Sequence, residues 1–404
     1  MSQMVLSASV EASAGEFRQG WPVVLACFCT AVFAWGFGFY GQSVYLADLH
    51  QTHGWPASLI ASATTVYYLT GAVLLTRVHR AIELFGPRLL LASGAIILGL
   101  GVIGLSRVYA PWQLYVCGIV MAIGWAATTT TAIAMTLAHW FDRRRGLALS
   151  LALNGASAGG FTVTPLLVGL VHRMGLELAV LLLVPAALAI LLPMLLFGVG
   201  RVAAHEQATS AQNSHSSGQM LRSLHFWTVA LPFAFALAAQ VGFIVHQVAF
   251  LLPHLGSDGA GIAIAATAIA AAAGRLAFAP VIDRVNQRVA SAASFASQAA
   301  GLGLMLALPD RPEALYIGSV VFGLSVGNVI TLPALIVQRE FPPQSFGVAI
   351  GLSSMVGQAT LAFGPTLLGL ARDATGSYAA AIGLCIALQL AGAVLVLVGR
   401  PSKF

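Results

Sequence analysis

The sequence has 404 residues, of which 58% are hydrophobic and only 8% are charged, and its formal net charge is +6. A soluble domain usually carries about 25% charged residues, so water is excluded as the main solvent of this surface. Alternating ten-residue segments, which would indicate a β-barrel, do not occur in the sequence. The composition therefore predicts an all-α membrane protein, because lipid requires each segment to satisfy its own backbone polar groups.

Apolar runs of about 20 residues are long enough to cross a hydrocarbon core of about 30 Å. We predict twelve such transmembrane helices, at residues 21–45, 57–78, 88–106, 112–138, 146–171, 176–199, 223–250, 259–280, 289–308, 313–337, 346–370 and 377–398. Residues 1–20 are polar and lack a basic segment followed by an apolar core. We therefore expect no cleaved secretory signal, and the first helix serves as its own insertion signal.

Basic residues are divided unevenly between the two sides of the predicted helices. With a cytoplasmic N-terminus, the cytoplasmic segments hold Arg18, Arg77, Arg80, Arg88, Arg143, Arg144, Arg145, Arg201, Arg222, Arg284, Arg288, Arg339, Arg400 and Lys403. The connections on the other side hold only Arg107, Arg173, Arg311 and Arg372. Because cytoplasmic loops are enriched in Lys and Arg, we expect both termini on the cytoplasmic side of a bacterial-type inner (cell) membrane. The positive net charge then needs no nucleic-acid partner.

One long polar stretch separates two similar halves. We predict an N-terminal six-helix bundle at residues 1–200, a cytoplasmic linker at 201–221 and a C-terminal six-helix bundle at 222–404. Residues that recur at an offset of 200 or 205 are Phe141 and Phe341, Pro165 and Pro365, Gly169 and Gly369, and Gln42 and Gln247. Such self-similarity indicates an internal repeat, and hence two pseudo-symmetric bundles.

The connection after the eighth predicted helix reads GRLAFAPVIDRVNQR, residues 274–288. Its Asp283, Arg284 and Arg288 resemble the cytoplasmic motif of the major facilitator superfamily, and Glu83 and Arg88 form a degenerate copy in the first half. The resemblance implies the major facilitator fold, with a central site exposed to each side in turn. It also implies a clamp that holds one state shut. The alternative is a solvated turn whose charges only set topology.

A second motif narrows the resemblance. Residues 140–159 read WFDRRRGLALSLALNGASAG, which resembles the motif of the monocarboxylate porters and the related oxalate–formate antiporters between helices four and five. Arg144, Arg145, Gly155 and Gly159 match it. This resemblance implies a secondary transporter of a small, monocarboxylate-like organic anion that works by alternating access, either proton-linked or by exchange. The two glycines also predict close helix contact.

Arg275 is the one charged residue that we predict deep inside a helix, away from its ends. It lies eight residues before Asp283, which places it about 12 Å from the helix end and near the membrane midplane. Facing lipid there would cost about 2.5–3.5 kcal/mol or more, so we expect it to face the central cavity and to bind a carboxylate through its planar guanidinium. Its position resembles the carboxylate-binding arginine of the monocarboxylate porters. Snorkelling or pairing with a carbonyl is the alternative.

The sequence also departs from that group. Phe39 stands where several porters have a lysine, and Ala271 stands where others have an aspartate before the arginine. The region of Ser353, Ser354 and Gln358 lacks the second cation of the oxalate-type transporters. The site is therefore expected to hold one carboxylate rather than two, and proton coupling stays open.

Other side chains inside the predicted helices are candidate ligands of the substrate: Phe39, Tyr40, Gln42, Asn154, His246, Gln247, Asn328 and Gln358. Each polar one could instead bridge helices. His246 is the only imidazole deep within a predicted helix, so it is the candidate for proton coupling. Phe39, Tyr40 and Trp125 indicate that an apolar substrate body is tolerated.

Other functions remain to be weighed. An exporter of drugs or other hydrophobic compounds on the same fold is the alternative, although it often needs a membrane-embedded acidic residue that this sequence lacks. We find no nucleotide-binding loop, nucleophile elbow or metal-ligand cluster, so we expect neither an enzyme nor a cofactor. The expected partners are a small carboxylate, protons if transport is proton-linked, and the bilayer, with the chain as a monomer. The identity of the anion and the direction of transport stay open.

Overall fold

The computed structural model describes residues 20–141, 144–200, 217–278, 285–342 and 345–398. Within these ranges the chain is almost entirely helical and contains no strand. Ten of the described helices are long and apolar enough to cross a membrane. Large apolar side chains such as Leu100, Ile190, Phe197 and Val394 are exposed around them, as expected for a multi-pass protein whose outer surface meets lipid.

Two of these helices are far longer than one crossing. Arg145–Gly198 has 54 residues and Leu224–Phe278 has 55, or about 80 Å each at 1.5 Å per residue. Each is interrupted at a glycine in the left-handed region, Gly175 with φ 80° and Gly256 with φ 68°. Only glycine adopts that backbone without strain. Dividing both helices at their glycines gives twelve segments of spanning length in the described ranges.

We label these segments α1 to α12 in chain order. Their bounds are α1 (Gly20–His53), α2 (Ala57–Leu75), α3 (Val78–Leu105), α4 (Pro111–Ala138), α5 (145–174), α6 (176–198), α7 (224–255), α8 (257–278), α9 (Gln287–Ala307), α10 (Pro312–Glu340), α11 (Phe346–Thr375) and α12 (Tyr378–Val398). A short helix at Ser217–Arg222 precedes α7. The rest of the predicted linker, residues 201–216, lies outside the described residues.

Several helix ends differ from the prediction. The first helix was expected to end at residue 45, but α1 continues to His53, because polar residues beyond the apolar run still form helix until Gly54, at φ 65°, ends it. The third helix begins with a short turn at 78–85 that Gly86, at φ 76°, separates from the membrane part. Thr129, at ψ −175°, interrupts α4, which was predicted to be continuous.

The two halves share local features. Glycines with positive φ end α1 and α7 at Gly54 and Gly256, and end α5 and α11 at Gly175 and Gly376. A hydrogen bond from Thr64 Oγ1 to Gln42 Oε1 (3.2 Å) joins α2 to α1, and one from Gln247 Nε2 to Thr267 Oγ1 (2.9 Å) joins α7 to α8. The same residue types therefore join corresponding helices in both halves.

Small residues allow the close helix contacts that the sequence predicted. A Cβ atom added at Gly159 of α5 would lie 2.5 Å from the Val32 carbonyl oxygen and 2.8 Å from the Gly36 nitrogen of α1. Gly364 of α11 lies equally close to the backbone of α7 at Ala238. The prediction of close contact at Gly159 is confirmed, and both halves contain helix pairs of this kind.

The halves are joined at one end of the bundle. The Asp373 carboxylate, near the end of α11, accepts hydrogen bonds from the backbone nitrogens of Ala57 (3.2 Å) and Ser58 (2.8 Å) at the start of α2. Deeper in the bundle, Thr65 Oγ1 of α2 donates to the Ala362 carbonyl oxygen of α11 (2.5 Å). At the opposite end, α5 and α11 have exposed side chains within their first three turns, among them Leu147, Ser150, Ser354 and Met355.

Candidate substrate site

Arg275 lies on α8 and packs against the backbone of α10. A Cβ atom added at Gly327 would lie 2.8 Å from Arg275 Nε and 3.0 Å from Nη2, and also 3.0 Å from the Ala271 carbonyl oxygen. Helical side chains point back toward the helix N-terminus, so the guanidinium lies one turn nearer the middle of α8 than its own Cα atom. Gly327 leaves the space that this position needs.

The Arg275 guanidinium is incompletely satisfied. The side chain is half-buried, and its Nε atom is buried without a hydrogen-bond partner in the part of the chain that the structure describes. A buried donor without a partner costs about 1–3 kcal/mol, and more when the group is charged. Such a group is suited to receive an acceptor from a bound molecule.

Tyr40 connects Arg275 to the first half. It lies within electrostatic range of the Arg275 guanidinium, and its ring packs on Gly160 of α5. A Cβ atom added at Gly160 would lie 2.8 Å from both the Tyr40 ring and the Cβ atom of Ala268. Because Ala268 lies two turns before Arg275 on α8, the Arg275-bearing face of α8 meets α1 and α5 at Tyr40.

An aromatic wall extends from Tyr40 into the first half; it consists of Trp35, Phe39, Tyr40, Tyr68 and Trp125. The Phe39 ring centroid lies 5.1 Å from that of Tyr40, edge to face, and 6.4 Å from that of Trp125, nearly parallel at 15°. Trp35 lies 5.1 Å from Trp125 on the same wall. Trp35, Phe39 and Trp125 are only half-buried, which leaves part of their apolar surface uncovered.

Two neighbouring tyrosines of α2, Tyr68 in this wall and Tyr67 beside it, were not predicted as site residues. The Tyr67 and Tyr68 hydroxyls are buried without a hydrogen-bond partner among the described residues. The Tyr67 ring centroid lies 6.0 Å from that of Trp125 and 4.8 Å from that of Tyr68. The adjacent pair of tyrosines within an otherwise small and apolar helix was the signal that could have found them.

Three predicted ligands are already occupied by contacts within the protein. Gln42 is bonded to Thr64 and also donates to the Gly38 carbonyl oxygen (3.3 Å). Gln247 is bonded to Thr267 of α8. His246 is 1% exposed; its Nε2 lies 2.9 Å from the Pro365 carbonyl oxygen and its Nδ1 lies 3.2 Å from the Tyr378 hydroxyl. In this conformation these side chains hold helices together.

The other predicted ligands differ in placement. Asn328 follows Gly327 on α10 and is buried at 8% exposure, which puts it next in sequence to the glycine on which Arg275 packs. Asn154 of α5 and Gln358 of α11 are half-buried. The structure thus gathers Arg275, Tyr40 and Phe39 around one region.

Residues of the predicted cytoplasmic motif form a cluster in the second half. Arg288, 4% exposed, binds both oxygens of Glu340 at 2.7 Å and donates to the Val396 carbonyl oxygen at 2.8 Å. His225 Nε2 lies 3.1 Å from Glu340. The cluster fastens neighbouring ends of α7, α9, α10 and α12 to one another. Glu340 was not predicted, although it is the one carboxylate in the last turn of α10.

The remaining residues of the predicted cytoplasmic motif lie in different places. Asp283 and Arg284 lie outside the described residues. Glu83 is exposed and lies 3.3 Å from His79 one turn earlier. The remaining predicted members are Arg88, half-buried at the start of the membrane part of α3, and Arg144 and Arg145, exposed at the start of α5. The clamp that this motif is expected to form stays a prediction.

The sequence is similar to one family profile and to several known proteins. A profile of the Major Facilitator Superfamily matches residues 26–259 and 248–403. Monocarboxylate transporter 13 of Bos taurus is 28% identical over 95% of this chain and 90% of its own length. Monocarboxylate transporter 11 of Homo sapiens is 26% identical over 95% of this chain and 83% of its own length.

A bacterial relative and a solved structure are also similar to this chain. The MFS-type transporter YcxA of Bacillus subtilis is 25% identical over 96% of both chains. The crystal structure of the nucleoside transporter NupG superposes with a TM-score of 0.73 at 12% identity, over 94% of this chain and 98% of that one, which shows a shared fold. The chain belongs to the major facilitator superfamily, and it is a non-enzymatic membrane transporter that resembles the superfamily's monocarboxylate transporters.

Proposed function

We propose that this protein is a secondary transporter that carries a small monocarboxylate across the cell membrane by alternating access. The Arg275 guanidinium binds the carboxylate, and the aromatic wall contacts the apolar body of the substrate. The observation that carries the proposal is the buried Arg275 Nε atom, which has no hydrogen-bond partner among the described residues. The names of the bovine and human relatives agree with this substrate class.

An anionic substrate is favoured by the cost of an unpaired buried charge. Within the described ranges, no carboxylate lies within ion-pair distance of Arg275, whereas the buried Arg288 has Glu340. A carboxylate fits the planar guanidinium through two parallel hydrogen bonds. One such cation at the site favours one carboxylate per substrate, and the half-buried rings of Phe39 and Trp125 favour an apolar body of modest size.

The sidedness of the structure follows from the charge pattern. Under the positive-inside rule, the arginine-rich connections support a cytoplasmic location for that end of the bundle and for both termini. The contacts of Asp373 with α2 then lie at the outer end, and the exposed side chains in the first three turns of α5 and α11 lie at the inner end. This conformation is therefore closed outside and faces inward, one of the two states that alternating access requires.

The cytoplasmic motif has a role in the opposite state under this proposal. The Arg288–Glu340 cluster fixes the inner ends of the second half as one unit. Asp283 and Arg284, which adjoin it in sequence, would then clamp that unit against the first half when the inner end closes. A bistable contact of this kind is what switching between two discrete packings needs.

Ligand-induced thermal stabilisation of the purified protein tests the cargo. The probes are monocarboxylates of increasing size, sugars and hydrophobic cations, applied to wild type, Arg275→Gln and the control Arg311→Gln, which changes an exposed arginine before α10. A ligand at 100 times its Kd stabilises by about 2.7 kcal/mol. We expect at least one monocarboxylate to stabilise wild type and Arg311→Gln but not Arg275→Gln. If only neutral or cationic compounds stabilise all three equally, the exporter alternative replaces this proposal.

A further inference from the structure

A latch joins the two halves at the end of the bundle where α1 and α11 finish; it consists of His50, Arg372, Asp373 and the first residues of α2. Arg372 Nη2 lies 2.9 Å from His50 Nε2, and His50 Nδ1 lies 2.6 Å from the Trp55 carbonyl oxygen. The Asp373 carboxylate accepts hydrogen bonds from the backbone nitrogens of Ala57 and Ser58 at the start of α2. It also accepts one from Arg372 Nη1 at 3.2 Å. The His50–Arg372 contact therefore bridges the first and second halves directly.

The geometry of the latch fixes the protonation state of His50. A carbonyl oxygen only accepts hydrogen bonds, so Nδ1 must carry the hydrogen that faces Trp55. An arginine only donates, so Nε2 must offer its lone pair to Arg372. The imidazole is therefore neutral in this closed arrangement. A second proton could bind only at Nε2, where it would replace the hydrogen bond with two like charges 2.9 Å apart.

Other titratable groups surround the latch but are differently held. Facing it from the packed helices are Asp48 and His53 on α1, Asp373 on α11, Tyr378 on α12 and His246 on α7. The Arg372 guanidinium lies 6.0 Å over the Tyr378 ring. His246 is bonded through both nitrogens, and His53 stacks on Trp55 at 4.3 Å. Of the three histidines, His50 is the one whose protonation removes a hydrogen bond between the halves.

We propose that His50 is a proton-binding site that controls the latch: one proton at Nε2 releases Arg372 and lets α1 and α2 separate from α11. Histidine changes its charge between about pH 5 and 8, and His50 is half-buried rather than sealed from solvent. Because the open latch binds the proton and the closed latch excludes it, protonation and opening are thermodynamically linked. This inference goes beyond the proposed function and does not depend on the cargo.

Distance measurements between spin labels test the proposal without any substrate. Labels at Gln51→Cys and Ser377→Cys, both exposed beside the latch, report its opening in the full-length protein in lipid nanodiscs, with half-buried Cys29 and Cys117 replaced by alanine. Between pH 8 and pH 5 we expect a longer distance to replace the short one. For a single proton, the ratio of the two populations changes by at most about tenfold per pH unit.

Three variants decide whether His50 is responsible. His50→Gln keeps an acceptor for Arg372 but does not titrate, and Arg372→Gln removes the opposing charge; both should keep the short distance at pH 5. His53→Gln should behave as wild type. A distance in wild type that does not change with pH, or a pH response like that of wild type in either His50→Gln or Arg372→Gln, overturns the proposal. Neither result tests carboxylate binding. If the protein does not bind a carboxylate, the proposal for His50 still stands or falls on these distances alone.

Discussion

Gly327 determines where the Arg275 guanidinium lies, and so which geometry a bound carboxylate would meet. Its missing side chain lets Nε and Nη2 lie against the backbone of α10. On the same helix, Asn328 is buried beside this point. The charge on α8 is thus positioned by a residue on another helix that carries no chemistry of its own.

Replacing this glycine should weaken binding more than stability. In Gly327→Ala the new methyl group would lie 2.8 Å from Arg275 Nε, so the flexible guanidinium must move. It then no longer lies where it can form two parallel hydrogen bonds to a carboxylate. We expect the Kd of the stabilising monocarboxylate to rise at least about tenfold, which is about 1.4 kcal/mol, with a small change in the ligand-free Tm. Gly351→Ala, which has open space on α11, is the control. An unchanged Kd in Gly327→Ala would show that Arg275 does not bind from this position.

At this scale the sequence predicted the charge but not its surroundings. Arg275 could be found because a single arginine within an apolar helix is costly unless it has a function. Its contact with Gly327 joins helices far apart in the chain, so no local pattern reveals it. His246 and Gln247 were predicted as ligands because they are polar residues deep within a predicted helix. In the structure they already bond to Pro365 and Thr267. A buried chain of three glutamines, Gln240, Gln298 and Gln389, also escaped notice.

Among the elements, the contact of α1 with α5 depends on the spacing of small residues. Gly159 faces the α1 backbone at Val32 and Gly36, whereas Gly169 on the same helix has open space around its Cα atom. The two glycines have the same intrinsic helix propensity but differ in packing, so Gly169 serves as a control for Gly159.

Alanine at these two positions separates packing from propensity. In Gly159→Ala the Cβ atom would lie 2.5 Å from a backbone oxygen that cannot move aside easily, and overpacking of this kind typically costs about 1–3 kcal/mol. We expect a lower Tm for Gly159→Ala in thermal unfolding of the purified protein, and an unchanged or higher Tm for Gly169→Ala. Equal Tm values for the two variants would mean that α1 and α5 do not pack as described.

Helix type was predictable at the element scale and helix ends were less so. Apolar runs located the segments, because burial in lipid depends on the length of such a run. The continuation of α1 to His53 was missed because its last two turns are polar and carry no lipid signal. The break at Thr129 falls in a run of four threonines within the helix that was predicted to be continuous.

For the whole molecule, the resemblance and the internal repeat predicted the superfamily fold, but no sequence pattern could predict which state the structure adopts. Both states of a transporter share one sequence and differ by a few kcal/mol. The contacts of Asp373 and Thr65 with the opposite half close one end here. They arise from residues some 300 positions apart, and their pairing depends on the packing of complete bundles.

The central claim is that Arg275 binds the carboxylate of the transported molecule. The most direct test is calorimetric titration of the stabilising monocarboxylate and of its neutral primary amide into wild type and Arg275→Gln. Hydrogen bonds to charged groups contribute about 1.5–3 kcal/mol, so wild type should prefer the acid over the amide by at least about tenfold, and Arg275→Gln should lose that preference. If the variant discriminates between acid and amide as well as wild type does, the carboxylate is bound elsewhere and the account of this site is wrong.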